Sequence, residues 1–234
     1  MQEFVFGLWR LWKNRNDLIF KGVSHKPFDI LGLWTRNLGE FRAVGIQRTT
    51  SAQPTDGPSS LVPARRSGLW TKPGFGTIKV NTDAAWCKET LYAGVGWVAR
   101  DFVGLLQAAG GSGGRLCRSA AAAEMLAIRT ALEFCVRCGF NSVAIESDAK
   151  STIQMLRNET TPDFSLECIF GDIVTLARGL ESVTYEFVSR ESNRAAHSVA
   201  KYVFQEGKDF VWDHIGPDFL FNILAQDVNL SIRL

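Results

Sequence analysis

Apolar and polar residues change rhythm several times along the chain, and each rhythm predicts an element. Residues 1–22 read as one helix stopped at Gly22. Residues 27–46 read as a second, with Leu31, Trp34, Leu38 and Phe41 near helical spacing. From Thr49 to Gly68 the text turns to Ser, Thr, Pro and Gly and loses its apolar pattern, as a linker does. Residues 76–83 then alternate, with Ile78, Val80 and Thr82 on one face and Lys79, Asn81 and Asp83 on the other. Further strands are predicted over 93–100, 105–110, 142–147 and 182–189. The glycine run Gly110–Gly114 reads as a flexible turn before the longest helix, 119–138. That helix carries the stripe Met125, Ile128, Leu132, Cys135 and Val136, with Ser119 as its cap and Gly139 as its stop. Helices are also predicted over 149–158, 165–179 and 193–206, the last ending at Gly207.

The resulting order is β-β-β-α-β-α-α-β-α. Antiparallel strands followed by strand–helix alternation imply an α/β domain, a mixed sheet covered by helices. Four segments follow: a basic helical leader (1–48), a linker (49–69), the α/β body (70–206) and a tail packing on it (207–234).

Charge adds a division that the formal total of +2 conceals. Residues 1–69 hold ten basic and five acidic side chains, whereas 70–206 hold fourteen and fifteen. A basic leader on a near-neutral body is compatible with a polyanionic partner. No apolar run reaches the roughly 20 residues that span a bilayer, so no membrane partner is expected. Five cysteines with no secretory signal read as thiols in a reducing compartment, the nucleus or cytoplasm. The basic, amphipathic leader leaves a mitochondrial presequence open, although Glu3 and Asp17 interrupt it. Cys135 and Cys138 form a lone C-x-x-C without the second pair that a zinc site needs.

Three acids fall at informative places. Asp83 is expected at the end of the first strand and Asp148 just past the fourth. Glu124 lies on the apolar stripe of the long helix. Each has an ordinary structural role available, as a turn or helix cap or as a partner of a helix dipole. If the first and fourth strands are neighbours, however, the three converge, and clustered carboxylates are tolerated mainly around a cation. Hard oxygen donors suit Mg²⁺ or Mn²⁺.

The runs TIKVNTDAAW (77–86), AGVGWVARDFVG (93–104), AAAEMLAIRTALEFCVRCGF (121–140), AIESDAKSTI (144–153) and SRESNRAAHSVAKYVF (189–204) resemble the ribonuclease H fold. They are most similar to plant type-1 ribonuclease H-like domains related to the terminal domain of non-LTR retroelement reverse transcriptases. The leader (8–22) and tail (209–227) resemble the flanks of such proteins. The resemblance implies a five-stranded mixed sheet with flanking helices. It also implies two Mg²⁺ or Mn²⁺ ions on an acidic cluster and cleavage of the RNA strand of RNA–DNA hybrids. By position, Asp83, Glu124 and Asp148 match three family carboxylates. The fourth stands in the run N-x-x-A-D, which here reads Asn193-Arg194-Ala195-Ala196-His197, so His197 takes the acid's place. A neutral imidazole is a poorer partner for Mg²⁺, which implies weakened catalysis. The histidine that the family often carries before this helix, assisting product departure, is absent from Ser189–Ser192.

Arg100, Arg115, Arg118, Arg190 and Arg194 are candidate phosphate contacts, with Arg190 and Asn193 the better placed. Asn81 and Asn193 are candidates to read 2′-hydroxyls. Glu146 reads as an acid supporting Asp148 or as a surface residue. The expected partner is an RNA–DNA hybrid or double-stranded RNA. A non-catalytic binding module and a domesticated retroelement fragment stay open beside the nuclease.

Overall fold

A computed structural model describes residues 69–214 and 216–228. The predicted leader helices and nearly all of the linker lie outside the described residues. Strand β1 (Thr77–Trp86), β2 (Tyr92–Arg100) and β3 (Leu106–Leu116) form an antiparallel meander. Helix α1 (Ala120–Cys138) crosses to β4 (Ser142–Ser147), which pairs in parallel with β1. Helices α2 (Lys150–Leu156) and α3 (Glu167–Ala177) lead to β5 (Ser182–Phe187), parallel to β4. A single 3₁₀ turn, Arg190–Asn193, opens α4 (Arg194–Glu206). The chain closes with β6 (Phe210–Trp212) and α5 (Asp218–Asp227).

The sheet order is β5-β4-β1-β2-β3-β6. The five expected strands are present, and the tail contributes a sixth, β6, antiparallel to β3. Three residues of strand carry almost no periodic signal, so it could not be read from the sequence.

Helix α1 begins where the sequence places it, because the Ser119 hydroxyl accepts from the Ala122 amide at 3.1 Å. It ends at Gly139, whose φ of 69° is a left-handed stop. Its inner face, with α2 and α3, buries Val80, Trp97, Met125, Ile128, Leu132 and Ile145 against one side of the sheet. The opposite side is covered by α4 and α5 around Val98, Ala109, Val199, Val203 and Leu220. The body is therefore a three-layer α/β sandwich.

The glycine run expected to turn is instead strand. β3 continues through Gly110–Gly114 to Leu116, and the reason is the closeness of α4. A methyl on Gly94 of β2 would sit 2.6 Å from the Ala200 carbonyl oxygen. One on Gly113 would fall on the Val203 carbonyl and 2.6 Å from the Lys208 amide nitrogen. Glycines on β2 and β3 thus seat a helix whose own inner face is Ala196, Val199, Ala200 and Val203. Gly113→Ala should cost about 2 kcal/mol by overpacking, or roughly 4–8 °C in Tm. A thermal scan checks this, and an unchanged Tm would contradict the close seating.

Candidate metal centre

β1 outruns β4. Their pairing ends at Thr82 opposite Ser147, whereas β1 continues to Trp86 beside β2. Asp83 is therefore not the last residue of its strand, as expected, but the first beyond the parallel pairing. Asp148 leaves β4 at the same level, and Glu124 reaches over from the second turn of α1. One carboxylate oxygen from each lies within 4.8 Å of the others. The Asp148 side chain does not cap α2, so the ordinary role available to it is not taken.

Two residues of the last helix region close the cluster. Asn193 is fully buried, and its amide nitrogen donates to the Thr82 carbonyl at 2.9 Å and to Asp148 Oδ1 at 3.1 Å. It ties the end of β1 to the acid following β4. His197 Nδ1 lies 2.7 Å from Asp83 Oδ2. An ionised carboxylate only accepts, so Nδ1 then carries the proton. The imidazole is 41% exposed and the Asp83 carboxylate 6%.

Burial, then the negative charge of Asp148, pushes the Asp83 carboxyl up to about 6, against the opposing hydrogen bond from His197. Burial, then the charges of Asp83 and Asp148, pushes Glu124 up to about 9. Both groups hold protons when folded at pH values where the unfolded chain, at ordinary values of 3.8 and 4.5, has released them. Stability without metal should therefore fall as pH rises from about 4 towards 9. Thermal scans across that range check the sign. A saturating divalent cation, which favours the ionised carboxylates, should flatten the slope.

The donor set fits such a cation. It is all oxygen, and Glu124 Oε2 is buried with no hydrogen-bond partner in the protein. Among the described residues this is the group of three or more His, Cys, Asp or Glu side chains able to converge on one ion.

The structure corrects several expected contacts. Asn81 is fully buried, and its amide is taken by Glu146 at 2.9 Å and by Arg100 at 2.8 Å, so it cannot meet a 2′-hydroxyl. Asn193 is likewise enclosed and serves the carboxylates instead of nucleic acid. Arg100 is fully buried, with Asp227 Oδ2 2.7 Å from its Nη1, and cannot meet phosphate. Glu146 is not a surface residue; it is buried two residues before Asp148 and paired with Lys79 at 2.5 Å. Arg190 and Arg194 are exposed at the start of α4, where Arg194 donates to Gln226 Oε1 at 3.1 Å. Arg118 is also exposed, and Arg115 is exposed but paired with Asp209. The buried partners had one signal in the sequence. Lys79 and Asn81 stand mid-strand in what must be a central strand, where polar side chains need internal partners.

The profile of the family described as "Reverse transcriptase-like" matches residues 81–203, more than half of the chain, and takes in all four site positions. The chain belongs to the reverse transcriptase-like family. The chain is also similar to a curated Arabidopsis thaliana protein, "Putative ribonuclease H protein", 29% identical over 235 residues. That alignment covers 98% of this chain but only 36% of the relative's length. The fold of this reverse transcriptase-like chain is that of ribonuclease H. RNase H1 from the archaeon Halobacterium salinarum superposes with a TM-score of 0.53 at 22% identity, covering 56% of this chain and 98% of that one. The N-terminal RNase H domain of a Mycobacterium tuberculosis protein gives 0.53 at 18%, covering 56% and 95%. LC11-RNase H1, solved in complex with an RNA/DNA hybrid, gives 0.50 at 18%, covering 55% and 97%.

Proposed function

We propose that the protein is a divalent-metal-dependent endonuclease that cuts the RNA strand of RNA–DNA hybrids. The observation that carries this reading is the convergence of Asp83, Glu124 and Asp148 on one point, with a buried Glu124 oxygen left without a protein partner. Mg²⁺ or Mn²⁺, as two ions, would supply the positive charge that lets a phosphodiester approach these carboxylates and that offsets charge developing on its oxygens. The three acids would hold the ions. Asn193 keeps the Asp148 carboxylate turned inward, and His197 orients Asp83. Arg190 and Arg194, exposed beside the site, are placed to take backbone phosphates of the substrate. The likeness to a hybrid-bound RNase H1 fold supports the choice of substrate.

One observation favours a second reading, a binding module that does not cut. The imidazole engages Asp83, and a histidine stands where the family has its fourth acid. A substrate panel separates the readings: hybrid, duplex RNA and duplex DNA, each with Mg²⁺, Mn²⁺ or EDTA. The nuclease reading expects only the RNA strand of the hybrid to shorten, and only with metal. Salt-sensitive retention of intact hybrid under every condition would replace it with the binding module.

The free thiols of the five cysteines suit a reducing compartment, nucleus or cytoplasm. Among the described residues no helix is long and apolar enough to cross a membrane. The division into leader (1–48), linker (49–69), body (70–206) and tail (207–234) is part of the same proposal.

A further inference from the structure

Beneath the carboxylates runs a chain of buried polar groups that the cleavage chemistry does not use. Lys79 pairs with Glu146 Oε1, and Asn81 donates to Glu146 Oε2. Arg100 donates to Asn81 Oδ1 through Nη2 and to Asp227 Oδ2 through Nη1. Trp70 covers the guanidinium, its ring centroid 3.6 Å away. Every member is less than 9% exposed. Two cations and two anions balance within it, and the second anion comes from the last residue of α5.

Placement gives this chain its meaning. Asn81 lies two residues before Asp83, and Glu146 two before Asp148. The two are register partners across β1 and β4. Their hydrogen bond sets the strand alignment one step below the acids, and Arg100 fixes which way the Asn81 amide faces. Asp227 also reaches the other support of the site. Its Oδ1 lies 3.8 Å from Arg194, which the neighbouring Gln226 holds at 3.1 Å. Arg194 follows Asn193, the clamp on Asp148, and opens the helix that carries His197. One tail carboxylate thus reaches the strand pair through Arg100 of β2 and lies beside the helix start, the two supports that position the acids. The family match ends at residue 203, well before it.

We propose that Asp227 is a positioning residue of the metal centre, so that α5 is a working part of the site. Without its charge, Arg100 is left buried with one anion fewer and turns towards Glu146, releasing the Asn81 amide, and Arg194 loses its brace. The metal-affinity part of this inference rests on the function proposed above; the ordering of the helix start does not.

The test compares full-length wild type with Asp227→Asn and with Ile173→Ala, a cavity variant on the opposite face of the sheet. Two readouts are taken, the Mn²⁺ dissociation constant by calorimetry and hydrogen exchange of peptides covering Asn193–Val199. Asp227→Asn should weaken Mn²⁺ binding at least about tenfold and speed that exchange beyond anything Ile173→Ala does at equal loss of Tm. Identical behaviour of the two variants would overturn the proposal, leaving Asp227 a stabilising residue only. If wild type takes up no Mn²⁺, the nuclease reading fails, and exchange at Asn193–Val199 still decides this one in the same two directions. Should Asp227→Asn not fold, Arg100→Met/Asp227→Leu replaces it in the same comparison, since it leaves no buried charge unpaired.

Discussion

Replacing Asp83 by asparagine is expected to abolish hybrid cleavage while leaving the metal-free protein as stable as before, or more so. Asp83 meets both the other two acids and the imidazole, and its loss would remove one of the three proposed anionic donors to an ion. Metal stabilisation of developing charge is worth several kcal/mol, so the rate should fall by about 1000-fold or more. Stability should move the other way. A carboxyl pushed up to about 6 is an ion that the fold disfavours. Asparagine keeps the shape and can still meet His197, yet it relieves repulsion with Asp148 and Glu124. The carboxyl of Glu124, raised in part by Asp83, should come down in the variant. Single-turnover cleavage and a thermal scan at pH 8 measure the two effects. Activity retained in Asp83→Asn would remove the acid cluster from the mechanism.

The second large effect is a gain. His197→Asp restores a fourth carboxylate next to Asp83. A partly screened charge about 4 Å from a divalent ion is worth more than 1.4 kcal/mol, so Mn²⁺ affinity should rise at least about tenfold. Cleavage should rise with it. Without metal the same change is expected to destabilise the fold. The donor to Asp83 is lost and a like charge is gained, at about 1 kcal/mol for so exposed a side chain, or roughly 2–4 °C in Tm. A lower Tm in EDTA and a higher one in Mn²⁺ would form the signature. Unchanged metal affinity would show that the imidazole does not stand in for the missing acid.

What could be read from the sequence was what local periodicity encodes. The alternation of Ile78, Val80 and Thr82 against Lys79, Asn81 and Asp83 placed β1 and its faces, and the stripe through Met125 and Leu132 placed α1. The order of elements is enough to bring Asp83, Glu124 and Asp148 together when β1 and β4 are neighbours, as they are. Long-range packing was not legible. Gly110–Gly114 looked like a turn because nothing local says that a helix ninety residues later lies on it. Arg100 looked like a phosphate contact because its partner, Asp227, is 127 residues away and beyond the family match at 81–203. Asn81 and Asn193 read as nucleic-acid contacts because they are polar and close in sequence to the acids. Only the fold shows that both point inward, one to align strands and one to hold a carboxylate.

The most direct measurement follows a 5′-labelled RNA strand annealed to DNA, incubated with the full-length protein and Mn²⁺. Shorter labelled RNA, an intact DNA strand, no product in EDTA and none with Asp83→Asn are the expected results. RNA that stays whole with the hybrid bound and Mn²⁺ saturating, or product that persists in Asp83→Asn, would contradict the nuclease reading.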